Sequence, residues 1–485
     1  MLERRKNPTH VAPAVTPAPA PSRFSSRPRR ALAAAGFLLA VAGSVSALDG
    51  FPDPTGGSSS ILFNLGGVGY DFASACAAER DGGVVLAGRA TEEDGSGHKI
   101  AVARLAANGV LDPLFGTGGR LFFSPGTPAF YSDPLVLAMA REPSGAGYIL
   151  AGTIKELGSP ISFFLRVTAG GVYDTTFGLY IVLTQRAITA VAIDPVAGTI
   201  WLAGQETDGS DGVWAVEKRA GDGTPLGATS FTIPGVPTGG PTAIALQPDG
   251  KVVLVGVGRP TAGIYNSAGI ARLLSTVALD PLFGFNGGRY LLDYGVNTVA
   301  RSVAVRPDGR ILFAGEIGDP IGYNYLFVTQ LRADGTLSTD WGFGNGNTTF
   351  VSFDQGGASG DGASGGNRMA LTTDGKVLVA AQATTGQAGN VAEIGIARYT
   401  PSGELDPTFG QANDGRAVWD LPPVGNGAGN DWPTCVTTTS GKPLIAGAGE
   451  WSGSDWDFGT LRLGNNHIFS DSFESGTTVA WGLPS

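Results

Sequence analysis

Histidine and methionine are nearly missing from this chain, with three of each among 485 residues. One histidine, His10, lies in a basic N-terminal segment, leaving His98 and His467 for the rest. A histidine-dependent catalytic triad or a multi-histidine metal site is therefore unsupported. Charged residues make up 15%, and 32 Lys and Arg face 42 Asp and Glu, a formal net charge of −10. An acidic surface repels phosphate backbones, so nucleic acid is excluded as a partner. Long apolar runs are missing too. The one candidate, Ala31–Val45, is shorter than the roughly 20 residues a membrane span needs.

That run has a different explanation. Arg4, Arg5, Lys6, Arg23, Arg27, Arg29 and Arg30 precede it, and it ends in Val45-Ser46-Ala47. A basic region, an apolar core and small residues at −3 and −1 describe a secretory signal cut after Ala47. No cysteine stands at the junction for a lipid anchor, and no later segment is long enough to span a membrane. Without residues 1–47 the formal net charge falls from −10 to −16.

What the chain has in quantity is glycine, 76 residues, which points to many turns and short strands. The organising stretch is Ala243–Gly256, AIALQPDGKVVLVG. Pro248 presets φ for a turn, and Gly250 supplies the left-handed position that lets a hairpin close. Six more copies align on this turn: Ala75–Gly88, Leu137–Gly152, Ala190–Gly204, Ser302–Gly315, Arg368–Ala381 and Thr434–Gly447. Second strands such as Val252–Val255 are continuously apolar, which means both faces are covered. A sandwich covers one face of each sheet, whereas a propeller stacks every blade between two neighbours.

A third strand follows each hairpin, as at Ile100–Leu105 and Ile394–Tyr399. Then comes a Leu-Asp-Pro-x-Phe-Gly segment at Leu111–Gly116, Leu279–Gly284 and Leu405–Gly410, with a looser copy at Tyr173–Gly178. A fourth strand ends the unit: Arg120–Phe123, Arg289–Leu292, Arg416–Trp419. Blade 3 has no Leu-Asp-Pro-x-Phe-Gly, which leaves its outer edge open. The seventh unit lacks a fourth strand after Leu461–Leu463, and Ile61–Phe63 in SILFNLG lines up with RLFFSPG and RYLLDYG. The expected fold is an all-β, seven-bladed β-propeller of four-stranded antiparallel blades, its last blade completed by the N-terminal strand. The expected division is a signal over 1–47, a linker over 48–60, the propeller over 61–467 and a tail over 468–485.

The repeat text resembles the delta-60 repeat family, β-propellers of exported bacterial proteins. Pro248-Asp249-Gly250-Lys251, Ile396-Ala397-Arg398-Tyr399 and Leu405–Gly410 carry the likeness, which spans about residues 61–463. The resemblance implies a fold and no common activity. The tail Ile468–Trp481 resembles a short C-terminal element of some exported proteobacterial proteins.

Arg104, Arg166, Arg272 and Arg398 are each followed eight residues later by an acid: Asp112, Asp174, Asp280 and Asp406. In blade 5 both positions change, to Gln330 and Ser338, which suggests that the two residues touch. A charge ring around a site is one reading; a pair pinning the turn in each blade is favoured, since buried charges are paired. Cys76 and Cys435 occupy the same aligned position in blades 1 and 7, neighbours once a ring closes. A disulfide and two buried thiols both remain open, because equivalent positions point the same way around the ring. Asp208-Gly209-Ser210-Asp211-Gly212 suits Ca²⁺, but no complete calcium loop is present and a solvated turn is the plainer reading.

The most suggestive surface is on blade 7: Asp431, Trp432, Glu450, Trp451, Asp455, Trp456 and Asp457. Aromatic rings beside carboxylates suit a sugar, and the alternative is packing between blades. The Gly-rich loops Asp354–Asn367 and Pro422–Asn430 are further places for recognition. No catalytic constellation and no cofactor is expected. The chain reads as an exported monomer, a binding or scaffolding module for a protein or glycan ligand outside the cell, at its surface or in the periplasm. Its rivals are an enzyme on polysaccharide using loop carboxylates near the axis, and a purely structural surface protein.

Overall fold

Apolar strands separated by Gly-containing turns build seven four-stranded antiparallel sheets. The computed structural model describes residues 51–464 except 54–57, 62–69, 93–96, 127–129, 183–185, 207–212, 261–264, 285–286, 319–323, 343–346, 354–363, 385–391, 411, 420–429, 440 and 453–454. The signal over 1–47, the tail over 468–485, the loop 208–212 and most of the loops 354–367 and 422–430 lie outside the described residues.

Blade 1 comprises Phe72–Ala78, Val84–Thr91, His98–Leu105 and Arg120–Phe123, in that order across the sheet. Blades 2 to 6 repeat this order, starting with Tyr131–Arg141, Arg186–Ile193, Thr238–Leu246, Thr298–Val305 and Ser364–Leu371. In blade 7, Asp431–Thr439, Lys442–Ser452 and Asp455–Arg462 are followed by Ser58–Ile61. The seven first strands touch one another in succession, and Asp431–Thr439 touches Phe72–Ala78. The ring of blades is closed. Blade 3 has an outer strand as well, Pro225–Phe231, although the Leu-Asp-Pro text is missing there.

The hairpin turn works as its residues suggest. Gly250 sits at φ 79°, its amide donating to Gln247 O at 2.9 Å. Each first strand then slips register, as at Ser74, Thr242 and Thr434, and the blade 2 strand does so twice. At that slip the glycine ending the hairpin meets an inner-strand carbonyl. A Cβ on Gly88 would lie 1.8 Å from Phe72 O, and one on Gly447 2.0 Å from Trp432 O. In blade 6, where Ala381 stands instead, the slip widens to Ser364–Arg368. The slipped residues also tie blade to blade: Thr189, Thr242 and Thr434 hydroxyls donate to Pro241 O, Ala300 O and Ala73 O at 2.6, 2.6 and 2.5 Å.

The core lies between blades. Seven buried clusters occupy the seven seams, one each. Val252 and Leu254 pack toward blade 3 while Val253 and Val255 pack toward blade 5, all four fully buried. This explains the continuous apolar run: successive side chains serve opposite seams, each burial contributing about 1.5–3 kcal/mol.

The N-terminal strand starts earlier than the Ile61–Phe63 alignment suggests. Ser58–Ile61 pairs antiparallel with Phe458–Leu461, Ile61 facing Phe458. The stretch 48–60 is therefore not a simple linker, because Phe51–Asp53 is also built into blade 7. Pro52 bridges Leu463, and the Asp53 amide donates to Arg462 O at 2.9 Å. In blade 6 the same positions are filled by Leu405 opposite Tyr399 and by the Asp406 amide on Arg398 O at 2.9 Å. The N-terminal segment supplies both the second turn and the fourth strand that blade 7 lacks.

Candidate functional site

The repeated Arg–Asp pairs do meet. Arg398 Nε donates to Asp406 Oδ2 at 2.8 Å and Arg272 Nε to Asp280 Oδ2 at 3.0 Å, with all four residues buried. The half-buried pairs Arg104–Asp112 and Arg166–Asp174 close to 3.4 Å. In blade 5, Gln330 Nε2 donates to Ser338 Oγ at 3.0 Å in the same place. The other aspartate oxygen accepts the amide two residues on, 3.0 Å from Thr408 N in blade 6, making the side chain part of the turn. The guanidinium stacks on the motif's phenylalanine: Arg166, Arg272 and Arg398 lie 4.4, 4.4 and 4.6 Å from the Phe177, Phe283 and Phe409 ring centres. The lysine of the hairpin turn joins them, Lys376 reaching Asp406 at 3.0 Å and Lys251 reaching Asp280 at 3.3 Å.

Burial alone would raise the Asp406 carboxyl, but the Thr408 hydroxyl and amide, Lys376 and Arg398 outweigh it and hold it down at about 2. In blade 6 the donors that Asp406 accepts all come from its own blade, while in blade 4 Arg272 also donates across the seam to Ala333 O of blade 5. The geometry is that of a pinned turn. In blade 3, Lys218 stands in the arginine's register place, and the next residue, Arg219, pairs with Glu217 at 2.6 Å and lies over Phe164 and Tyr180 of blade 2. Arg462, the blade 7 counterpart, donates to Ala107 O and Gly82 O of blade 1, while Lys442 reaches the buried Asp53 at 2.5 Å.

Cys76 and Cys435 are joined, with Cα atoms 5.8 Å apart. Their shared alignment does not hold. Cys76 pairs with Leu86, two before Gly88, whereas Cys435 pairs with Ala446, one before Gly447. The blade 7 hairpin is one residue shorter, so an alignment anchored on its final glycine displaces its first strand by one. One residue reverses the face in a strand. Leu86 and Ala446 both line the seam between blades 7 and 1, so the two cysteines face each other there.

The aromatic and acidic group on blade 7 divides. Asp431 stands opposite Gly449, which stands opposite Asp457; Trp432 stands opposite Ala448, and Glu450 opposite Trp456. Trp432, Glu450 and Trp456 therefore share the face toward blade 1, while the buried Asp431 and Asp457 share the face toward blade 6. Trp451 and Asp455 lie at the ends of the same strands. The Glu450 carboxylate is engaged by Asn430, at 3.0 Å from its amide and 2.7 Å from Nδ2.

Sequence reasoning missed a partner for this group. Tyr70 bridges Trp456, and the next residue's amide donates to Trp456 O at 2.8 Å. Tyr70 is 52% exposed and Trp432 38%, two open rings at the end of the seam between blades 7 and 1. It also missed a cationic cluster at the next seam. Asp133, at φ 52°, meets Lys155 at 2.9 Å, His98 Nδ1 at 3.0 Å and Arg89 at 3.7 Å. Lys155 above all holds the Asp133 carboxyl below its usual range. No spacing in the sequence signals this cluster, because its members come from four different strands. Among the described residues, no three His, Cys, Asp or Glu side chains are placed to hold a metal ion.

A domain of unknown function (DUF5122), a β-propeller family, matches residues 79–115, 247–283 and 372–409. Three of the seven blades carry its repeat. Each matched span runs from the hairpin turn to the second turn, the portion held by the Arg–Asp pin. No curated protein sequence matches the chain. Among solved structures, a polysaccharide lyase, Uly1, is similar at TM-score 0.48 and 10% identity, covering 87% of this chain and 98% of its own. A protein of unknown function from Dyadobacter fermentans is similar at 0.41 and 11%, covering 84% and 97%. A Penicillium chrysogenum α-L-arabinanase is similar at 0.40 and 12%, covering 68% and 93%. At such identities the likeness is one of fold.

Proposed function

We propose that this protein is an exported glycan-binding module, a bacterial propeller of the delta-60 type that engages its ligand at the seam between blades 7 and 1. The observation that carries this reading is the pair of open rings at one seam: Tyr70, which bridges Trp456, and Trp432, on the face that Trp456 shares with Glu450. Rings with one face free stack on the apolar faces of sugars, while neighbouring polar groups take the hydroxyls. The basic, apolar and small-residue pattern over residues 1–47 supports export. A scaffold joined through Cys76 and Cys435 suits life outside the cytosol.

A glycan array probed with the mature protein tests this. Binding that disappears when Tyr70 and Trp432 are both replaced by Ala supports the site; binding that persists removes it. The rival, an enzyme on polysaccharide, rests on Asp431 and Asp457, two buried carboxylates in one row across Gly449. Release of reducing ends from a bound glycan, abolished by Asp457→Asn, would favour that rival.

A further inference from the structure

The open rings at the first seam and the cations at the second lie on opposite faces of blade 1, joined through Thr91. Tyr70 N donates to Thr91 Oγ1 at 3.0 Å, and Thr91 stands opposite His98. His98 and Arg89 reach across to Asp133 of blade 2, where Lys155 also arrives. Packed sheets lie about 10 Å apart, so the two groups are roughly one blade's thickness from each other. A short oligosaccharide spans that distance.

The cationic group carries more positive charge than its carboxylate neutralises. Arg89 and Lys155 together bring two charges against the single one of Asp133. Arg89 Nε is buried with no hydrogen-bond acceptor among the described residues, and its contact with Asp133 is loose at 3.7 Å. The Lys155 side chain is 48% exposed. A backbone held at φ 52° in a non-glycine residue costs free energy and is retained where the surrounding structure uses it. All of this sits on a chain whose overall charge is strongly negative.

We infer that the ligand is an acidic glycan, whose sugar rings stack on Tyr70 and Trp432 while a uronate carboxylate binds Arg89 and Lys155. This rests on the glycan reading above. Arginine offers a carboxylate two parallel donors, and lysine a mobile point charge beside it. Asp133 then acts as a placeholder, keeping the cations together until the ligand's carboxylate shares them.

Titration calorimetry with an oligogalacturonate and its methyl ester, which removes the charge at the cost of one added methyl group per uronate, tests the inference. The free acid is expected to bind about tenfold more tightly, an advantage that shrinks as salt is raised. Arg89→Gln with Lys155→Gln should erase the preference for acid over ester. Asp133→Asn is informative because asparagine tolerates the left-handed backbone, so folding is kept. Removing the competing carboxylate should tighten acid binding several-fold, whereas a purely structural pin would lower the melting temperature without tightening anything. Equal affinity for acid and ester in the wild type overturns the acidic-glycan inference and leaves the seam reading standing. Binding of neither overturns both.

Discussion

Asp53 and Arg462 stand in blade 7 as Asp406 and Arg398 stand in blade 6, although almost the whole propeller separates them in sequence. The Asp53 amide donates to Arg462 O at 2.9 Å, and the Asp53 carboxylate takes Lys442 at 2.5 Å as Asp406 takes Lys376 at 3.0 Å. The ring is thus clasped by a turn as well as by a strand.

The clasp has a measurable cost of removal. Asp53→Ala strips a buried carboxylate from a half-exposed lysine and is expected to destabilise by about 1–3 kcal/mol in urea unfolding. Truncation through residue 61 removes the Phe51–Asp53 turn and the Ser58–Ile61 strand together. It should expose the Asp455–Arg462 strand to proteolysis at a concentration that spares the full chain. Equal resistance of the two would show that the clasp is dispensable.

The disulfide acts at the same seam. Cys76 and Cys435 are 359 residues apart in sequence, so their bond shrinks the unfolded ensemble strongly. Replacing both by Ser is expected to lower stability by roughly 2–5 kcal/mol while far-ultraviolet circular dichroism stays that of the parent. A reductant should have the same effect on the parent and none on the variant.

The blade 5 pair offers an internal control for the pinned turn. Arg398→Gln alone leaves Asp406 buried without its guanidinium, and Asp406→Ser alone leaves a buried cation. Together they recreate the hydrogen bond seen between Gln330 and Ser338. The double variant should be more stable than the sum of the single losses predicts, with a coupling of about 1–3 kcal/mol in a double-mutant cycle. Additive losses would mean that the residues do not act as a pair.

Acid should loosen blade 6 through Asp406. Its folded carboxyl, held at about 2, lies below the unfolded value near 4, so its stabilising contribution is complete above about pH 4. It is lost as pH falls from there toward 2, a change on the order of 2 kcal/mol. Urea midpoints measured across that window should fall less steeply in Asp406→Asn than in the parent.

The sequence exposed the repeat because each blade solves the same local problem with the same residues. Turn glycines, apolar second strands and the Arg–Asp spacing are set within some fifty residues. Their partners are close in the chain, so Arg398 and Asp406 were readable without coordinates. The cysteine geometry was not, because one missing residue in the blade 7 hairpin reverses a side chain's face. Nor was the grouping of Asp431 with Trp432, whose adjacent positions send them to opposite seams.

The sequence by itself determined that this chain folds as seven stacked four-stranded units, since periodic turns and doubly covered strands admit little else. Only the tertiary structure decided what the seams between units hold: Asp53 in the place of a missing turn aspartate, Tyr70 beside Trp456, and Arg89, His98 and Lys155 around Asp133. The physical reason is that such contacts join residues from different blades. Their proximity depends on closing the ring, and no local spacing encodes it.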